Sequence, residues 1–271
     1  MFGMFGSSPE FRSNELLDEA YNADSEEEKI EYAKQALKIY PDNIDAACFI
    51  ANFEKNPVVK LSKFETIIEK ASGKLKREGY FNKDKIGEFW GLIETRPYMR
   101  ARNRKVLLLI ELGRYTCAIK ECEELLKLCE SDNLGIRYHL IGLYCLLEKF
   151  NECKNLREQF NEESSTQLKF PMAIMYYKLG DYKKAKEILK QINEENPHIF
   201  ELLKDNVYLT KNLEDVHYYS PGSIEEAILV TKGLSYLLGS IPSFYTFLER
   251  NFQLRKKYIK KGYKKRYKNS D

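Results

Sequence analysis

The chain has 271 residues, 43% apolar and 13% aromatic, which suffices for one or two packed domains and is too apolar for a disordered protein. Its 44 Lys and Arg nearly balance 41 Asp and Glu, yet nine of the basic residues fall between Arg255 and Lys268 with no acid among them. The rest of the chain is therefore net acidic, and no apolar run approaches the roughly 18 residues that a membrane-spanning helix needs.

The chain does not open with a basic region followed by an apolar block, so a cytoplasmic protein without an integral membrane segment is expected. Residues 1–12 are expected to form a mobile N-terminal segment ahead of a helical domain over 13–252. A degenerate helical hairpin near 13–41 closes with Ala36 and Pro41. An irregular hairpin near 44–78 contains Asn56-Pro57, which reads as an N-cap followed by Pro at the first helical position. Gly79 to Thr95, rich in Gly, aromatic residues and charge, interrupts the pattern.

Three clearer hairpins follow over 97–199. Glu111-Leu112-Gly113-Arg114-Tyr115 leads to Ala118, Glu148-Lys149-Phe150 to Cys153, and Leu179-Gly180-Asp181-Tyr182 to Ala185. These small residues are 35 and 32 positions apart, and Gly113 and Gly180 are 67 apart, two periods of about 34. Each unit reads as helix, tight turn, helix; the small residue lets the helices approach, and the aromatic before it packs across. Farther on, Ser223 with Glu226 forms a capping box that opens a helix running to about Leu238. Gly239 and Pro242 end it, and Phe244–Phe252 begins one more short helix. With no strand signal, the expected fold is all-α, a solenoid of helical hairpins.

This spacing resembles the tetratricopeptide repeat, with Gly180, Tyr182, Ala185 and Pro197 matching well; Glu148 stands where Gly is usual and Cys153 where Ala is. Phe89-Trp90-Gly91-Leu92-Ile93-Glu94-Thr95-Arg96-Pro97-Tyr98-Met99-Arg100-Ala101-Arg102 resembles a signature of soluble tetratricopeptide-like relatives of the suppressor of tumorigenicity seven family. Asn133-x-Gly135-Ile136-Arg137-Tyr138 resembles a second signature, and Asn196-Pro197-His198-Ile199 with the segment 222–228 resembles that family's C-terminal part. The resemblance spans about 15–250 and implies a helical repeat protein without established catalysis. Lys105 departs from it, falling where a small or apolar residue is usual. The family's eukaryotic members are membrane-anchored, and that location does not carry over to a chain without a membrane helix.

The chemistry-bearing residues are few. Cys48, Cys117, Cys122, Cys129, Cys145 and Cys153 include no C-x-x-C pair and read as small buried hydrophobes. His139, His198 and His217 lack ligand spacing, so no metal and no cofactor is expected. There is no G-x-S-x-G, no P-loop and no dinucleotide fingerprint. Paired carboxylates such as Glu194-Glu195 and Glu225-Glu226 read as helix surface, so the protein is expected not to be an enzyme.

Helix 96–112 draws the most attention. Thr95 or Arg96 caps it, Pro97 starts it, and Tyr98, Ala101, Leu108, Leu109 and Leu112 share one face. Arg96, Arg100 and Arg104 recur every fourth residue as a guanidinium stripe on the other, with Asn103 alongside. Two readings stand. The stripe bridges Glu88, Glu94 and acids of neighbouring helices, or it lines a concave groove and grips carboxylates or phosphates of a protein or peptide. Arg137 and Tyr138 extend either version, with Trp90 and Tyr98 as aromatic support. The basic tail over 253–271 offers an alternative partner surface. Lys256, Lys257, Tyr258, Lys260, Lys261, Tyr263, Lys264, Lys265 and Arg266 interleave cations with tyrosines, a composition suited to RNA, single-stranded DNA or an anionic membrane surface, and equally to a solvated tail.

Overall fold

The computed structural model describes residues 8–161, 165–213, 216 and 218–252. Among these no strand forms: the bridges of Gly87 and Glu88 to Cys129 are isolated, and the regular structure is helical. The fold is all-α. No helix among the described residues is long and apolar enough to cross a membrane. The chain divides into two compact units, Met1–Leu147 and Glu148–Asp271.

The first unit is a row of helices, each packed on the next: α1 (Pro9–Asn22), α2 (Glu26–Ile39), α3 (Ile44–Asn52), α4 (Pro57–Arg77), α5 (Arg96–Glu111), α6 (Tyr115–Leu128) and α7 (Ile136–Leu146). Polar caps fix where they begin. Ser8, Ser25, Asn43 and Asn56 each accept a backbone N–H from the first turn with a side-chain oxygen, a contribution of about 1 kcal/mol per cap. Helix α1 therefore starts at Pro9, inside the segment 1–12 expected to be mobile, and residues 1–7 of that segment lie outside the described residues. Ser8 caps Phe11, Pro9 suits the first turn, and residues 9–12 are helical.

Small residues set the spacing of the first two hairpins: Ala20, Ala33, Ala36 and Ala46 are fully buried with Leu17 beside them. A buried polar link crosses this layer. Asn43 donates to Ser13 Oγ (2.8 Å) and Asn14 Oδ1 (3.0 Å), and Ser13 Oγ donates to the Ala36 carbonyl (2.8 Å). The interruption docks on the end of α6. Phe89 N donates to the Leu128 carbonyl and Glu130 N to that of Gly87, while Phe89 is fully buried beside Phe81 and Tyr98.

The second unit comprises α8 (Phe150–Gln159), α9 (Thr166–Lys178), α10 (Tyr182–Glu195), α11 (His198–Leu203), a 3-10 segment over Lys204–Thr210, α12 (Ile224–Gly233), α13 (Ser235–Gly239) and α14 (Pro242–Phe252). The helix expected to run to Leu238 breaks at Leu234, which joins α12 to α13. The capping box is half made. Ser223 Oγ accepts Glu226 N, but the Glu226 carboxylate turns inward instead of back to Ser223. It accepts from Thr166 Oγ1 (2.5 Å), Asn196 Nδ2 (2.9 Å) and Gly222 N (2.7 Å), joining α9, the end of α10 and the loop before α12. Glu226 is 3% exposed, so its reading as helix surface is corrected. The loop comes close enough to need glycine: a Cβ on Gly222 would lie 2.9 Å from the Glu195 carbonyl.

The repeat positions behave alike. Ala118, Cys153 and Ala185 are all fully buried, and Gly113, Glu148 and Gly180 take positive φ of 68°, 59° and 78°. Glu148 thus adopts the left-handed turn conformation that glycine adopts freely, at a cost of about 1–2 kcal/mol for an L side chain. Its exposed carboxylate, 3.2 Å from Lys178 Nζ, recovers little of that. Glu148→Gly is expected to stabilise the protein by about 0.5–1 kcal/mol after allowing for the greater chain entropy of glycine. Urea unfolding of the two proteins measures this.

Candidate functional site

Helix α5 starts where expected, with Pro97 in its first turn. Thr95 occupies the N-cap position, but its hydroxyl donates to the carbonyls of Phe89 and Leu92 and so closes the preceding loop. Arg96 extends this closure. Its Nε donates to the Trp90 carbonyl (2.8 Å) and its guanidinium lies 5.6 Å from the centre of the Trp90 ring, so Arg96 and Trp90 hold each other, half-buried.

Tyr98 is not a surface aromatic. It is 4% exposed and packs edge-on to Phe81 (6.0 Å). The groove role expected for it is corrected: its ring lies on the apolar face of α5, under the docked 79–95 segment.

Arg100 is exposed and makes a fork with Asp45 of α3, Nε to Oδ1 at 3.1 Å and Nη2 to Oδ2 at 2.5 Å. Arg137 is held at the start of α7. Asp132 accepts the backbone N–H of Ile136 and Arg137 and the Arg137 guanidinium (2.8 Å), which also lies over the Tyr138 ring at 4.3 Å. The Asn133–Tyr138 motif is thus a capping device. Gly135 takes φ +68°, and a Cβ there would meet the Tyr138 ring at 3.0 Å.

That leaves Arg104. It is exposed and pairs with no carboxylate among the described residues, yet it sits close enough to lower the pKa of both the Tyr21 hydroxyl and the Cys48 thiol. Burial and Asp45 outweigh it at both, holding Tyr21 above its usual range and pushing Cys48 up to about 12. Beside it, Asn103 Oδ1 is buried without a hydrogen-bond donor. Tyr21, 61% exposed, meets Phe49 edge-on at 4.7 Å, and Phe49 meets Phe53 at 5.4 Å. Helices α1, α3 and α5 therefore share one face on which an aromatic ladder, an ion pair and a spare guanidinium lie together. Arg96 and Arg100 also line a cleft of about 650 Å³ with Asp42, Asp45, Glu78 and Glu94; Arg104 stands outside it.

No protein-family model and no curated protein matches the chain. Among the described residues no group of three or more His, Cys, Asp or Glu could hold a metal ion. The basic stretch 255–268 lies outside the described residues, as does His217.

A cluster of charges between α5 and α6 fixes this face. Arg102, 9% exposed, donates from Nε to Glu121 Oε1 of α6, and Lys105 reaches Glu121 Oε2 at 3.0 Å. The unusual Lys105 is thus one arm of a buried triad. Burial pushes the Glu121 carboxyl up, but the bonds from Arg102 and Lys105 more than reverse this and hold it below the usual glutamate range. A folded-state pKa below the unfolded one stabilises the fold above the unfolded value and loses that contribution as pH falls through the folded one. Acid should therefore weaken the first unit below the ordinary glutamate range. Glu121→Gln is expected to cost about 3–5 kcal/mol at neutral pH, because it leaves a buried guanidinium without its counter-charge, and to flatten that part of the acid-unfolding profile. Arg102→Met with Glu121→Leu should restore most of the loss; chemical unfolding at pH 3 to 7 reads all three.

Proposed function

We propose that the protein is a non-enzymatic adaptor of the tetratricopeptide-like kind, acting in the cytoplasm and binding an acidic peptide or protein segment on the α1–α3–α5 face. Arg104 carries this reading. The other two arginines of the expected stripe, and Arg137 expected to extend it, have partners inside the fold: Arg96 the Trp90 carbonyl, Arg100 Asp45, Arg137 Asp132. An exposed guanidinium left over, next to an exposed tyrosine and an aromatic ladder, matches a carboxylate flanked by an apolar side chain. The buried acceptor of Asn103 supports the same reading, since a polar group without a partner costs about 1–3 kcal/mol and persists most readily where binding uses it. The hairpin spacing and the motifs at 89–102 and 133–138 make the tetratricopeptide likeness the natural frame for such a face.

Labelled peptides that pair Asp or Glu with a large apolar residue provide the test, read by fluorescence anisotropy. Arg104→Glu should weaken binding about tenfold, roughly 1.4 kcal/mol, with an unchanged melting temperature. Arg100→Glu should also lower the melting temperature, because it sets two carboxylates against each other on α3 and α5. Wild-type affinity in Arg104→Glu, or no binding by any acidic peptide, overturns the proposal.

A further inference from the structure

The second unit carries a surface of a different chemistry. Three rings, Tyr177, Tyr182 and Phe247, lie 5.1 to 5.8 Å apart by their centres, against the fully buried Phe244. Tyr182 is 56% exposed, and Tyr177 and Phe247 are half-buried, so the cluster is anchored from behind and open in front. Cations follow Tyr182 along α10. The first nine residues of α10 contain Lys183, Lys184, Lys186 and Lys190 against the single acid Glu187, and none of these lysines is in an ion pair among the described residues. Lys184 is held over the Tyr176 ring at 4.3 Å. Lys183, Lys186 and Lys190 recur at three and four residues along one side of the helix, each about one turn from the next.

Glu187 is exposed and makes no ion pair among the described residues, and three acids at helix ends are engaged elsewhere. Asp181 caps α10 by accepting Lys184 N, Glu195 takes Lys169 at 2.5 Å, and Glu148 takes Lys178. Helix α14, which supplies Phe247, ends at Phe252, three residues before the nine-cation stretch begins at Arg255.

We propose that this α9–α10–α14 surface is a binding platform for single-stranded nucleic acid, with Tyr182 and Phe247 stacking on bases and Lys183, Lys186 and Lys190 neutralising phosphates. Flat exposed rings flanked by unpaired ammonium groups fit a chain in which flat rings and phosphates alternate. A lipid surface would call instead for protruding aliphatic side chains, and among the described residues of α9, α10, α14 and the turn between α9 and α10 only Leu179 is a large exposed aliphatic. The platform is independent of the peptide-binding face in the first unit. Stacking on a base makes no use of the sugar, so RNA and DNA should bind alike.

The full chain is titrated against labelled 20-nucleotide oligouridylate and oligodeoxythymidylate, with anisotropy read at several salt concentrations. Both strands should bind with steep salt dependence. Tyr182→Ala should weaken binding at least fivefold while Tyr182→Phe stays within twofold. Lys183→Glu with Lys186→Glu, two surface changes that leave the rings intact, should weaken it further and reduce the log–log salt slope by about 1.4, or 0.7 for each phosphate no longer neutralised. Melting curves confirm that each variant is folded. Failure to bind either strand overturns the proposal, as does binding that neither Tyr182→Ala nor the double lysine variant changes. Binding lost only when the 255–268 cations are reversed assigns the activity to that stretch alone. Capture by phosphatidylserine vesicles without oligonucleotide binding replaces nucleic acid by a membrane surface.

Discussion

The rotation of α5 about its own axis is set by one buried acid. Glu121 on α6 takes Arg102 and Lys105, and at 100° per residue Arg102 lies nearly opposite both Arg100 and Arg104. Turning Arg102 into the α6 interface therefore turns the other two outward toward α3. A helix with four arginines in its first three turns could present them in several ways; the triad selects one. Two ionic groups buried at this site gain little over an apolar pair of the same shape. What they add is specificity of orientation, and the candidate binding face depends on it.

Once α5 is oriented, its arginines take different tasks according to what lies near each. Arg96 finds a carbonyl and an indole, Arg100 finds a carboxylate on α3, and Arg104 finds no carboxylate among the described residues and only the electrostatic neighbourhood of Tyr21 and Cys48. The expected alternatives, structural network or ligand patch, are divided among the residues of a single stripe. The ion pair to Asp45 places a negative charge on the same face, so a partner must satisfy a mixed field and not a uniformly positive one.

The hairpins are legible in the sequence because helix boundaries are local. Asn56-Pro57, Ser223 and the positions shared by Gly113, Glu148 and Gly180 encode turns and caps within a few residues, and the helices begin and end there. The start of α1 is equally local: its signal is the cap at Ser8-Pro9, four residues ahead of the expected domain start at 13. Arg102, Glu226 and Tyr98 escape a local reading. Their surroundings come from residues 19, 60 and 17 positions away, and a charged side chain on a helix looks the same in sequence whether its partner is water or a buried acid. Asp132 is closer to reach. It lies four residues before the Ile136 N–H that it accepts, next to the Asn133 with which the motif at 133–138 begins.

The distribution of thiols gives the molecule a built-in pair of clocks. Cys122, Cys129 and Cys145 are buried in the first unit, and Cys153, also fully buried, is the sole cysteine of the second. A buried thiol reacts only when its surroundings open. The rate at which an alkylating reagent reaches Cys153 thus follows the opening of the second unit, and the rates at the other three follow the first. The breathing of each half can be timed separately in the native chain, without introducing a label.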